Sequence, residues 1–146
     1  MPNRRISNVI AGQSLVTATR EMTVRAACRL MAEKRIGAML VVESNKIVGI
    51  FTERDALNKV LATSMDPDTT KLAQVMVSDP MTIRGDKPLG FALAMMADGG
   101  FRHVPVVDDN GAPLGMVSAR DALGQDMLEL EKEMKRREEL EGSIVY

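Results

Sequence analysis

The stretch Gly49-Ile50-Phe51-Thr52-Glu53-Arg54-Asp55-Ala56-Leu57 returns later in the chain as Gly115-Met116-Val117-Ser118-Ala119-Arg120-Asp121-Ala122-Leu123. Each copy places a glycine and two apolar residues before a hydroxyl, and an aspartate three positions after it. Each follows an apolar run ending in an acid: Met39-Leu40-Val41-Val42-Glu43 and Val104-Pro105-Val106-Val107-Asp108. The offset is 65 residues at Val42/Val107 and 66 at Gly49/Gly115, which puts one extra residue into the second turn. Upstream, Val24, Ala27, Met31 and Ala32 match Leu89, Ala92, Met96 and Ala97 at the offset of 65. Agreement of this length marks an internal duplication, and such a unit buries its apolar face against a neighbouring copy.

Each copy predicts helix, strand, strand, helix. Thr23 suits an N-cap for a helix over 23–35, with Val24, Ala27, Cys28 and Met31 on one face. Residues 38–42 form a short apolar run between turn residues, which predicts a buried strand. Ser44-Asn45 turns the chain, 46–52 returns as a second strand, and 53–62 reads as a helix. In the second copy Pro88 fits the first turn of a helix running to about Ala97 and stopped at Gly99-Gly100. A strand over 104–107, a hairpin at Asn110-Gly111, a strand over 114–117 and a helix from near Ser118 complete it. Between the copies, a loop from Met65 leads to a short helix over 71–76 and an extended 77–83. A short helix over 6–10 and an extended 14–17 echo this at the start.

The expected fold is therefore α/β (α+β): two pseudo-two-fold repeats packed through small sheets around one shared core, with a C-terminal helical extension. The divisions are 1–64 (first repeat with its N-terminal segment), 65–125 (linker and second repeat) and 126–146 (charged tail). Over 126–141 the tail holds seven acids against four bases. Its apolar stripe, Leu123, Met127, Leu130 and Met134, has helical spacing and is expected to pack on its own module or a dimer mate.

Composition narrows the function. With 146 residues, 45% hydrophobic and 27% charged, the chain is an ordinary globular one, neither disordered nor fibrous. Nineteen Lys and Arg balance 20 Asp and Glu, so no global field recruits nucleic acid or an anionic membrane. Aromatic residues at 3%, with no Trp, are too few to stack single-stranded bases. The 12 methionines point to an adaptable core. Cys28 is the only cysteine, which rules out an intrachain disulfide and places a core residue on the helix's apolar face. His103 is the only histidine, so His-based triads and multi-His metal sites are excluded. No P-loop, Gly-x-Gly-x-x-Gly or activated nucleophile suggests an enzyme. No apolar run approaches the roughly 20 residues of a membrane span, and no signal segment is recognisable, so a cytoplasmic location is expected.

The two Gly-x-x-Thr/Ser-x-x-Asp motifs, their apolar strands and the run Arg102-His103-Val104-Pro105-Val106-Val107-Asp108 resemble a pair of CBS domains, the cystathionine-β-synthase-type repeat. The resemblance covers about residues 5–123, as one Bateman-type module. It implies a regulatory module with no catalysis and no obligatory cofactor, which pairs into homodimers and signals to an effector protein, as in energy sensing. Its implied ligands are adenosyl compounds, AMP foremost, then ADP, ATP, NAD-type dinucleotides or S-adenosylmethionine, held in clefts between the repeats.

Physical chemistry accommodates those roles. A strand ending at Thr52 or Ser118 and feeding a helix leaves free N–H groups that suit a phosphate. Asp55 and Asp121, three residues on, can accept two hydrogen bonds from a ribose diol. The same pattern is also an ordinary capping box that needs no ligand. In the family, the pair before the Val-Pro-Val strand often reaches phosphate bound at the other repeat's motif. Arg102-His103 is thus expected at the Thr52/Asp55 cleft, whereas the equivalent Gly37-Ala38 leaves the Ser118/Asp121 cleft without that cationic contact. Arg54 and Arg120 either steer anions or sit in helix ion pairs. Thr17 and Thr82, ahead of each first helix, are implied backbone contacts. Ile50, Met39, Val104 and Met116 are candidates for the adenine pocket or, equally, for the core. The rival reading is a ligand-free module for dimerisation and protein interaction.

Overall fold

In the computed structural model, which describes residues 4–122 and 125–142, the duplication appears as two successive runs of like elements. The first run is α1 (Ile6–Val9), β1 (Thr17–Ala18), α2 (Val24–Lys34), β2 (Ala38–Glu43), β3 (Lys46–Thr52) and α3 (Glu53–Asp55). The second is α4 (Leu72–Val75), β4 (Val77–Ser78), β5 (Ile83–Arg84), α5 (Leu89–Gly99), β6 (His103–Val107) and β7 (Pro113–Ser118). A tail helix, α6, spans Gln125–Glu141.

Local chemistry sets these boundaries. The Thr23 hydroxyl accepts the Ala26 N–H at 3.2 Å and starts α2. Ser44 and Asn45 both have left-handed backbone (φ 51° and 60°), as a two-residue hairpin turn requires. The second hairpin is longer by one residue. Asp108 accepts the N–H groups of Asn110 and Ala112 at 2.8 and 2.9 Å, and Gly111 takes the left-handed position at φ 80°.

Three expectations need correction. Pro88 is the N-cap and not the first helical residue: a bridge to Arg5 holds it extended (ψ 149°), and α5 starts at Leu89. The helix expected over 53–62 has one α-turn and then widens to i→i+5 bonding over Ala56–Leu61, as in Ala62 N–H to the Leu57 carbonyl at 2.9 Å. After Ser118 the chain makes a 3₁₀ turn, Ala119–Ala122.

The first sheet has the order β1-β2-β3-β4, with β1 parallel to β2 and the other pairs antiparallel. The second has the order β5-β6-β7, with β5 parallel to β6. On the free edge of β7 the Gln13 amide does the work of a strand: it donates to the Met116 carbonyl at 2.9 Å and accepts the Met116 N–H at 3.0 Å. Gly115 permits this approach, since a Cβ there would lie 2.8 Å from Gln13 Oε1.

Among the described residues the buried apolar side chains gather in two larger cores and one small cluster, where a single shared core was expected. Strand alternation divides β2: Met39 and Val41 face the first core with Phe51 and α2, while Ala38 and Leu40 face a small cluster with Ile50 and Met116. The second core gathers Leu89, Ala92, Met96, Val104, Val106 and Val117. Each core is completed by a segment lying next to the other repeat in sequence. Ile6 is fully buried in the second core, its N–H donating to the Lys87 carbonyl, and Leu72 and Val75 are buried in the first. Half-buried Cys28 packs against the first core, and burial raises its thiol above the ordinary range.

The tail stripe does not pack on its own module at the two positions described. Leu130 and Met134 are exposed, while Leu123 and the Met127 side chain lie outside the described residues. Among the described residues, no helix is long and apolar enough to cross a membrane.

Candidate functional site: two clefts flanking Arg102 and His103

Strand β3 delivers Thr52 to the start of α3, where it forms a closed capping box with Asp55. The Asp55 N–H donates to Thr52 Oγ1 at 3.2 Å, while Asp55 Oδ2 accepts the Thr52 N–H at 3.0 Å and its hydroxyl at 3.1 Å. Lys59 Nζ sits 3.2 Å from the other oxygen, Oδ1. Asp55 is thereby buried at 8% exposure with its charge compensated. The second motif repeats the pattern: Asp121 Oδ2 accepts the Ser118 N–H at 2.7 Å and its hydroxyl at 3.3 Å.

Each motif lies in the wall of a cleft. The first cleft, about 750 Å³, brings together Thr52, Arg54, Asp55, Arg102 and His103. The second, about 950 Å³, brings together Ala38, Ser118, Arg120 and Asp121, again with Arg102 and His103. Thr17 and Thr82 line neither cleft, although their neighbours Val16 and Met81 do. Successive side chains of an extended segment point to opposite sides, which accounts for that miss by one residue. Of the apolar candidates, Ile50 lines the first cleft and Met116 the second, whereas Met39 and Val104 are fully buried core residues.

Arg102 and His103, expected at the Thr52/Asp55 cleft, border both clefts. The reason is their place between the repeats. The Ala119 N–H donates to the Arg102 carbonyl at 2.9 Å, and the Glu53 N–H donates to the Gly37 carbonyl at 3.0 Å in the symmetry-equivalent bond. Residues 37 and 102 are thus matched, and residues 102 and 103 stand where the two clefts adjoin.

Sequence reading also missed Glu53. It borders both clefts, and a Cβ on Gly37 would lie 3.1 Å from Glu53 Oε1 and 3.6 Å from His103 Nε2. The signal was available, since position 53 is an acid where its counterpart, Ala119, has no charge. Asp79 and Phe101 of the first cleft, and Gln13 and Arg35 of the second, carry no motif and depend on tertiary placement.

Burial, more than any other influence, lowers the His103 pKa below its ordinary value. Glu53 and Asp121 pull it back up, and Arg102 pushes it further down. Arg120 reaches the tail, with Nη2 2.7 Å from Glu131 Oε2. Among the described residues no cluster of three or more His, Cys, Asp or Glu side chains could hold a metal ion.

Comparison with known proteins agrees with this architecture. The CBS domain family matches twice, over residues 6–62 and 72–127. A protein of Methanopyrus kandleri is 33% identical over 134 residues, covering 89% of this chain and 68% of its own length. A CBS domain-containing protein of Arabidopsis thaliana is 30% identical over 130 residues. That match covers 88% of this chain but 24% of the plant protein, so the chain spans about a quarter of that relative. Among solved structures, a CBS domain protein from Pyrobaculum aerophilum complexed with AMP is 26% identical. It superposes with a TM-score of 0.76, over 88% of this chain and 98% of its own. The chain belongs to the CBS-domain family and carries two CBS domains in tandem.

Proposed function

We propose that this protein is a regulatory module that binds an adenosyl ligand in the clefts between its repeats and passes the change on to an effector protein. The observation that carries this reading is the joint placement of a hydroxyl–aspartate turn, Arg102 and His103 on the walls of one cleft. In that cleft the Thr52 turn and Arg102 hold phosphate, Asp55 holds the ribose diol, and Ile50 supports the base. The equivalent ligand groups in the second cleft are Ser118, Arg120 and Asp121, with the Ala38 backbone. The AMP complex of the Pyrobaculum relative supports AMP as the first ligand to test. Exposed Leu57 and Leu61, on the helical segment after β3, support a homodimer. Sedimentation of the purified chain tests that assembly.

One observation favours the rival, ligand-free reading: the Thr52–Asp55 box is already closed by its own hydrogen bonds and by Lys59. Thermal unfolding with AMP, ATP, NAD and S-adenosylmethionine separates the two. A ligand at 100 times its dissociation constant adds about 2.7 kcal/mol, which shifts the midpoint by several degrees. No shift with any of the four at millimolar concentration leaves the interaction-module reading standing.

His103 adds a pH dependence whose sign follows from burial. The folded protein binds this proton less readily than the unfolded chain does. Its contribution to stability therefore falls as pH drops through the ordinary histidine value, about 6.5, toward the lowered folded value. A bound phosphate favours the imidazolium and reverses that tendency. AMP is expected to bind more tightly at pH 6.5 than at pH 8, with His103→Gln flattening the difference. A wild-type affinity that does not vary over this range would mean that His103 does not meet the phosphate.

A further inference from the structure

Helix α2 ends on Arg35, which is left-handed at φ 55° and ψ 45°. L side chains rarely adopt this conformation, and it is the usual place for glycine. The matched position in the second repeat follows that habit: Gly100 closes α5 at φ 72°. The fold thus accepts glycine at this cap, yet the first repeat carries a long cationic side chain there against backbone preference. Arg35 is exposed and enters no ion pair among the described residues. It lines the second cleft, whereas Gly100 lines the first.

Setting aside the shared Glu53, Arg102 and His103, the two clefts differ in sign. The first offers Arg54 against Asp55 and Asp79, and the second offers Arg35 and Arg120 against Asp121. Lys59 beside Asp55 and Glu131 beside Arg120 bring both counts to neutral, so the difference lies in how firmly each offset is held: Asp55 is buried and Lys59 is fixed on the Val75 carbonyl at 2.9 Å. The Arg120–Glu131 pair joins an exposed arginine to a half-buried glutamate, and a pair this open to solvent is weak enough for a polyphosphate to displace. Arg35 has no such competitor, and its planar guanidinium suits bidentate phosphate binding. The second cleft is also the larger.

We propose that the Ser118/Asp121 cleft takes the more highly charged ligand, a nucleoside di- or triphosphate, and that Arg35 selects for its outer phosphates. Arg102 and His103 are available to a first phosphate in either cleft, so the cationic groups peculiar to the second serve those beyond it. This deepens the nucleotide-binding reading above and rests on it.

The test is calorimetric titration of magnesium-free ATP and of adenosine into wild type, Arg35→Gly, Arg35→Asn and Arg29→Ala. Asparagine tolerates the left-handed backbone without the charge, and Arg29 is an exposed α2 residue that lines neither cleft. Both Arg35 variants should lose about tenfold or more in ATP affinity and keep adenosine within about twofold. Arg35→Gly should also melt a few degrees higher, because the strained cap is relieved. An unchanged ATP-to-adenosine ratio in both variants overturns the proposal while leaving the nucleotide reading intact. So does an equal ATP loss in Arg29→Ala, which would make the effect one of net charge. A wild type that binds neither ligand overturns the nucleotide reading itself, and this inference falls with it.

Discussion

Ile6→Ala is expected to remove about 2–5 kcal/mol of unfolding free energy, the range for truncating a buried Ile to Ala. Ile6 is fully buried, and it fills the second repeat's core although it precedes the first repeat in sequence. Its backbone is anchored as well, through Ile6 N–H to the Lys87 carbonyl at 3.0 Å and Ser7 N–H to the Gly85 carbonyl at 2.9 Å. Those bonds resist the collapse that would refill a cavity, so the larger half of the range applies. Domains of this kind are stable by roughly 5–15 kcal/mol, which makes the loss a large fraction of the total. Leu140→Ala serves as the contrast: Leu140 is 79% exposed, and its truncation should stay within about 0.5 kcal/mol. Urea unfolding of both variants is the measurement. A change below about 1 kcal/mol for Ile6→Ala would show that α1 does not belong to that core.

This crossing of segments marks what the sequence could and could not reveal. Strands and turns were legible wherever a local rule fixes them. Ser44-Asn45 tolerates left-handed backbone, Thr23 caps a helix, and the apolar run 38–42 has both faces covered. The extra residue in the second hairpin was visible as a change of offset, and it is accommodated by the Asp108 carboxylate and Gly111. What stayed hidden was which surface each amphipathic segment meets. Short helices over 6–10 and 71–76 could be read, but not that Ile6 and Leu72 each cross to the neighbouring core. The same limit applied to the site. Thr52, Asp55, Ser118 and Asp121 stand out because the motif repeats, whereas Arg35 and Glu53 matter only because the fold brings them to a cleft wall. A comparison of matched positions would have flagged both, since Arg35 answers to Gly100 and Glu53 to Ala119. Mismatch between repeats is therefore as informative as agreement: agreement locates the shared scaffold, and mismatch locates what makes the two clefts different.

Asp55→Ala should weaken AMP binding at the first cleft by about a hundredfold. A carboxylate accepting both ribose hydroxyls makes two charge-assisted bonds, each worth about 1.5–3 kcal/mol, and every 1.4 kcal/mol is tenfold in affinity. The lower end applies, because binding must first exchange the Lys59 contact on Oδ1, at 3.2 Å, for the ligand. The same substitution opens the capping box and leaves the Thr52 N–H without its partner at 3.0 Å, which costs about 1–2 kcal/mol of stability. Weak binding alone could then reflect a loosened helix start, and Asp55→Asn separates the two effects. Asparagine keeps an oxygen for the Thr52 N–H but carries no charge toward the ribose. Its stability should lie between those of the wild type and Asp55→Ala, since its amide nitrogen takes the place of the oxygen that faces Lys59, while AMP binding stays well below the wild type. The Ser118/Asp121 cleft supplies an internal reference, since its own aspartate is untouched in both variants and its ligand should bind as before. If Asp55→Ala loses stability yet titrates with AMP like the wild type, Asp55 is a helix cap and nothing more. The ribose contact would then have to be sought elsewhere on the cleft wall.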